Sequence, residues 1–231
     1  MNKKEFEALA RDAVNDKELR SSEIPAIDLY VDQIINLHTE KLKEGSLRYG
    51  ERQLTKTMIN NYAKDRVITP VKGKKYTKEQ MIQIFIIYAL KSTLSIGEIK
   101  RMLGGAYEIE GFDGDSIVSF YDKICDVKAF GREFCVAEVE NLLLANGLDI
   151  EKEEDFLVAI AGLVSMSAFM KNIAQAMIDA RYPEPLEDEE PEKEKEKDKE
   201  KKEKDKKEKE PKEKKEKDKE KKKKKSADSE E

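Results

Sequence analysis

Apolar residues recur at helical spacing through the first 183 positions and almost vanish after them. In IDLYVDQIINLHTEKLKE (27–44), Ile27, Val31, Ile34, Ile35 and Leu42 fall near one face behind Pro25, which predicts a helix ending near Gly45. In LTKTMINNYAKDRVITP (54–70), Thr55 reads as an N-cap and Met58, Ile59 and Tyr62 as the inward face. Val67 and Ile68 pack as the chain leaves that helix, and Pro70 ends it. Thr77 with Gln80, and Ser95 with Glu98, have the spacing of capping boxes, so helices are predicted over 78–91 and 96–103. GGAYEIEGFDGD (104–115) has four glycines and no helical period, and is expected to be a boundary. Two long helices follow, over 116–146 and 152–180. In the second, Phe156, Leu163, Met170 and Met177 recur every seven residues beside small ones such as Ala159, Gly162 and Ser165. That stripe reads either as the core of a bundle within the chain or as the interface of a homodimer.

Charge changes the picture. The whole chain is near balance at -5, but residues 46–103 carry 12 Lys or Arg against 4 Asp or Glu, whereas residues 104–183 carry 6 against 15. A basic centre of this kind suits a phosphate backbone or an acidic partner. From Glu184 to Glu231 there are 20 Lys and 21 Asp or Glu with almost nothing apolar, so that stretch is expected to be a disordered polyampholyte tail. The apolar runs 81–90 and 156–170 are shorter than the roughly 18 residues of a membrane span, and no apolar leader follows Met1. The expectation is a cytoplasmic protein with no membrane partner.

Few residues offer catalytic chemistry. His38 is the single histidine, which excludes a His-based triad and a multi-His metal site, and it is expected on the helix surface or half-buried. Cys125 and Cys135 read as reduced, structural thiols. There is no phosphate-cradling glycine motif and no nucleophile elbow. Neither an enzyme nor a cofactor or metal is therefore expected.

The order helix, turn, helix with INNY, V-I-x-P, a short basic segment closing on Tyr76, T-x-E-Q and then LSIGEIKRML resembles the winged helix-turn-helix of the mercury-resistance-regulator (MerR) type. IDLYVDQII with LTKTMINNY, KKYTKEQM and LSIGEIKRML resembles more closely the bacterial family named domain of unknown function 1836, over residues 24–170 at most and most specifically over 54–103. The resemblance implies a transcriptional regulator with 55–65 as recognition helix and 70–76 as wing. Three departures stand out. Asn60, Asn61 and Tyr62 replace an Arg-Tyr-Tyr pattern. Arg66 replaces a glycine, at about 1 kcal/mol or more if its left-handed conformation is kept. GSLRYGERQ (45–53) is long for a tight corner.

The expected architecture is all-α: a helical extension (1–23), a winged helix-turn-helix module (24–103), an acidic helical domain open to dimerisation (112–182) and the charged tail (183–231). Within it, Thr55, Lys56, Thr57, Asn60 and Asn61 are candidates for reading base edges, because short polar side chains near a helix N-terminus suit the major groove. Arg48, Arg52, Lys64, Lys72, Lys74 and Lys75 are candidates for phosphate contacts. Phe156, Leu163, Met170 and Met177 are the candidate dimer interface. The plain alternative for the basic segment is a solvated face, and Tyr62 and Tyr76 read as core residues with a polar tip. The functional expectation is sequence-specific recognition of double-stranded DNA by a homodimer in transcriptional control, with an effector left unidentified. Its alternative is a protein-interaction adaptor on a degenerate helix-turn-helix scaffold.

Overall fold

Eight consecutive residues, Gln80 to Ile87, are buried in a single helix, Lys78–Leu90, and a helix can bury every face only when it is covered on all sides. The computed structural model in which this helix is central describes residues 1–47 and 53–184. In chain order the described elements are α1 (Lys3–Ala13), a 3-10 turn (Ser21–Glu23), β1 (Leu29–Tyr30), α2 (Val31–Leu42), α3 (Lys56–Lys64), β2 (Lys75–Tyr76), α4 (Lys78–Leu90), α5 (Ile96–Tyr107), α6 (Gly114–Ala145) and α7 (Glu153–Arg181). The fold is thus mostly helical, as the periodicity implies. Among the described residues one small sheet pairs β1 and β2 antiparallel, Leu29 opposite Tyr76 and Tyr30 opposite Lys75.

Local chemistry sets the helix starts. Thr77 Oγ1 accepts from the Gln80 amide at 3.3 Å while Gln80 Oε1 accepts from the Thr77 amide at 3.0 Å, and Ser95 and Glu98 repeat the exchange at the start of α5. Asp113, expected in a linker, caps α6 by accepting from the Ser116 amide at 2.9 Å. Around α4 the core gathers Ile34 from α2, Ile59 and Tyr62 from α3, Ile99 and Leu103 from α5, and Ile117, Tyr121 and Cys125 from α6. Each such side chain contributes roughly 1.5–3 kcal/mol by leaving water.

Two expected element boundaries are corrected. The helix expected behind Pro25, α2, begins at Val31 rather than near Ile27, because Leu29 and Tyr30 are drawn into the pairing with β2. Ile27 is left 70% exposed. The Gln33 side chain then caps α2 by accepting from the Tyr30 amide at 2.9 Å. At the other boundary, α5 does not stop at residue 103 but runs through Gly104 and Gly105 to Tyr107. The missing side chain at Gly105 makes room for the Tyr182 ring, which a Cβ there would strike. Arg101 fastens the same end of α7 by donating to the Tyr182 carbonyl at 2.8 Å and pairing with Asp179 at 2.7 Å. Residues on both sides of 104–115 therefore share one core, and Met1–Pro183 form one compact unit. Of the second unit, Glu184–Glu231, only the first residue is described, so the expected charged tail lies outside the described residues.

The N-terminal segment is strapped to α6. Tyr121 donates to the Leu19 carbonyl at 2.6 Å, and Lys128 and Arg132 both reach Asp16 and Glu18. Burial would raise the Asp16 carboxyl, but those two cations hold it below its ordinary value.

Helix α7 differs from the rest. Only Ala159 and Ile178 are buried in it, Phe156 and Leu163 are half-buried, and Met170 and Met177 are 60% and 67% exposed. The seven-residue stripe is therefore not a core of this chain. Lys171 is the one charged residue between Phe156 and Ile178, so the helix is longer in apolar extent than the run ending at Met170 suggests. By length and composition it is sufficient to cross a membrane.

Candidate functional site

On α3 the polar residues fall on one arc. At 100° per residue, Lys56, Thr57, Asn60, Asn61 and Lys64 are confined to less than half of the circumference, and all five are exposed. Ile59 and Tyr62 hold the opposite side in the core. Thr55 is exposed too, but its hydroxyl accepts from the Met58 amide at 3.3 Å as the N-cap. The helix closes with Val67 N donating to the Tyr62 carbonyl at 2.9 Å and Arg66 N to the Ala63 carbonyl at 3.3 Å, the paired bonds of a Schellman motif. Arg66 sits at φ 53°, the left-handed position that favours glycine, so the motif is kept with a strained residue in it.

The segment after α3 is pinned from below. Gln83 Oε1 accepts from the Thr69 amide at 2.8 Å, and Gln80 Nε2 donates to the Pro70 and Thr69 carbonyls at 3.0 and 3.3 Å. Gln83 also donates to the Tyr107 hydroxyl, which donates in turn to Glu79 at 2.9 Å. Two buried amides on α4 thus satisfy irregular backbone that no ladder covers. Beyond it Gly73, at φ 81°, turns the chain back into β2. Lys72 and Lys74 flank that glycine, exposed and without an ion-pair partner among the described residues. Lys75 is exposed as well, with its ammonium 5.0 Å from the Tyr30 ring centroid.

Lys100, which has no signal in the sequence beyond its charge, completes the surface. Arg66 and Lys100 line, with Lys64, a groove of about 790 Å³ between the end of α3 and α5. Lys100 and Arg101 are adjacent in sequence and have opposite roles: the first faces outward, the second is held by α7. Only the phase of α5 against its neighbours separates them. Arg48 and Arg52 lie outside the described residues.

Two side chains are more enclosed than expected. His38 is 7% exposed rather than half-buried, its ring 5.5 Å from Phe85 and 4.3 Å from Tyr88, and burial, then the nearby Lys91 charge, lowers its pKa to about 4. Tyr62 has no polar tip in water: its hydroxyl is buried without a partner among the described residues, and burial pushes it up to about 12. Tyr76 is buried likewise. Cys125 is buried while Cys135 is exposed, and both are free thiols, so only the former serves the core.

Residues 19–124 match the family model described as Domain of unknown function (DUF1836). The DUF1836 resemblance carried by 54–103 is therefore supported, and over a stretch that starts at Leu19 and ends at Ile124. That stretch holds β1, α2, α3, β2, α4, α5 and the first part of α6, which is to say the pinned turn, the exposed arc of α3 and most of the core around α4. Helices α1 and α7 lie outside it. No curated protein and no solved structure matches the chain.

Proposed function

We propose that the protein is a DNA-binding transcriptional regulator, with α3 as the recognition helix of a winged helix-turn-helix and the Lys72–Lys75 turn as its wing. The observation that carries this reading is the pairing of an uninterrupted polar arc on α3 with a cationic turn whose base is fixed and whose tip is open. Asn60 and Asn61 offer the amide pair that suits adenine, and Lys64, Arg66, Lys72, Lys74 and Lys100 offer phosphate contacts. The antiparallel β1–β2 pair supports the wing assignment, since it anchors the returning strand.

A recognition helix of nine residues reads few base pairs, and a two-fold dimer doubles the site. The apolar surface of α7 suits a second copy. Eight large side chains on it, from Leu157 to Met177, are about half exposed or more, and together they offer on the order of 800 Å², the share of one partner in a standard interface. Antiparallel pairing would set Glu153, Glu154 and Asp155 against Arg181 of the other copy. In this reading the protein acts in the cytoplasm.

Titration of labelled duplexes across salt tests the proposal. A dimer with three or four cations engaged per subunit gives a log-log slope of roughly -5 to -7. Replacing Lys72, Lys74 and Lys75 together by Ala should weaken specific and random DNA alike and flatten that slope, by up to ~0.9 for each phosphate no longer neutralised. Asn61→Ala should cost about 1–3 kcal/mol on the preferred site and spare random DNA. A folded sample that binds no genomic fragment overturns the reading in favour of an adaptor whose basic surface meets an acidic protein. Sedimentation of a monomer at tens of micromolar overturns the α7 interface, and recovery with membranes assigns that helix to lipid instead.

A further inference from the structure

On the side of α4 that faces α2 and α6 there is a cavity of about 650 Å³, within the range of small-molecule sites. Its walls are largely apolar, built from Leu42, Phe85, Ile86 and Ile124 with the buried Cys125 thiol. Two polar groups on the walls lack ordinary partners. His38 Nδ1 is buried and makes no hydrogen bond among the described residues, although its residue is more than nine-tenths covered. Lys91 is half-buried with no carboxylate partner among the described residues. Its ammonium rests 3.4 Å from the Met58 sulfur and 5.2 Å from the Tyr88 ring centroid, both weak substitutes for water. Lys128, also on the wall, is different, because Asp16 and Glu18 neutralise it.

An unpartnered buried nitrogen leaves a desolvation penalty uncompensated, and a half-buried cation without an anion does the same. One ligand chemistry answers both together with the apolar walls. We propose that this cavity binds a small apolar carboxylic acid as its anion, the tail among Phe85, Ile86 and Ile124 and the carboxylate between Lys91 Nζ and His38 Nδ1. Lys91 is the half-buried cation of the lining without a carboxylate partner among the described residues, whereas Lys17 is exposed, so one desolvated charge matches a monoanion and a phosphate group would call for more. Neutral imidazole, which burial maintains by lowering its pKa to about 4, can donate to the carboxylate from Nδ1 without adding a second charge.

The site is wired to α3. Lys91 now touches Met58, two residues before Asn60, so a carboxylate that draws the ammonium inward takes a tether away from the helix with the polar arc. On the reading of α3 as a DNA-contacting helix, on which this coupling rests, the ligand changes DNA affinity and acts as the effector.

Because His38 is the only histidine, its imidazole proton resonances report this cavity alone. Octanoate titrated into the full chain should shift them saturably, and octanol, which has the tail without the charge, should bind at least tenfold more weakly. Lys91→Met, which keeps the apolar stem, should weaken octanoate at least tenfold and leave octanol unchanged, with helical circular dichroism preserved. Absence of a saturable shift at millimolar octanoate and 4-phenylbutyrate overturns the proposal. Equal binding of octanoate and octanol, or a Lys91→Met variant that binds octanoate as before, overturns the carboxylate assignment. The coupling is read separately: octanoate should change duplex affinity in the parent chain and not in Lys91→Met. Saturable octanoate binding by a protein that binds no DNA leaves the cavity standing and removes the regulator reading alone.

Discussion

Helices α4 and α7 are both apolar on nearly every face, and their surroundings are opposite. The first is 13 residues long and buried without interruption from Gln80 to Ile87; the second is 29 residues long and buries two. Hydrophobicity around a full helix states a requirement for cover, and does not say where the cover comes from. For α4 the same chain supplies it, through α2, α3, α5 and α6. For α7 the chain supplies a foothold at its C-terminal end, where Ile178, Asp179 and Tyr182 meet α5, and buries Ala159 nearer its start, while most of the apolar surface between them stays exposed.

The largest expected effect breaks the contrast most directly. Ile84→Asp places an unpaired charge in the core and should unfold the protein, at more than about 4 kcal/mol. Val164→Asp on α7 should change the stability of a single copy by about 0.5 kcal/mol or less while dissociating any dimer. Urea unfolding with sedimentation separates the two, and equal destabilisation would mean that α7 is covered as α4 is.

A second effect tests how dry the coat of α4 is. The folded-state pKa of His38 is about 4 against 6.5 for the free side chain, so the unfolded chain takes up a proton that the fold refuses. Stability from this group is full above pH 6.5 and falls as pH drops toward 4, by roughly 3 kcal/mol in all. His38→Phe should remove that part of the decline in unfolding curves taken at pH 7 and pH 4.5. Identical slopes for both chains would place the imidazole in water.

Smaller changes probe the foothold and the cap. Gly105→Ala should push Tyr182 off α5 at about 1–2 kcal/mol and speed hydrogen exchange over 175–182 more than elsewhere. Unchanged exchange there would show that the ring swings aside freely. Arg66→Gly should relieve the left-handed strain and stabilise by about 1 kcal/mol in thermal unfolding, without altering either helix. Loss of stability would mean that the arginine side chain contributes more than its backbone strain removes.

What the sequence made legible was local. Thr55, Thr77 and Ser95 each mark a helix start because a hydroxyl three residues ahead of an amide needs no tertiary knowledge to cap it. The polar arc of α3 and the open lysines beside Gly73 were legible for the same reason. Features that depend on a distant neighbour were not. Ile27 is exposed because β2, almost fifty residues on, claims the strand beside it, and α5 runs on past Gly104 and Gly105 to an end where Tyr182 covers the second of them. His38 lies on an apolar face that looked like surface until Phe85 and Tyr88 closed over it. The cavity beside it has no signature in the chain at all, since a void belongs to packing and not to any residue.

The turn at Gly73 has a consequence for how the protein can change over time. Its backbone is read by Gln80 and Gln83 at Thr69 and Pro70, whereas nothing lies within 4 Å of where a Cβ at Gly73 would stand. Charge swaps at the exposed Lys72 and Lys74 therefore meet no steric veto, whereas Gly73 is held by its positive φ, Val71 by the core and Lys75 by its pairing with Tyr30. Such a tip is permissive: a short labelling peptide placed beside Lys72 or Lys74 should leave thermal unfolding almost unmoved, because the hydrogen bonds that Gln80 and Gln83 make lie beneath it.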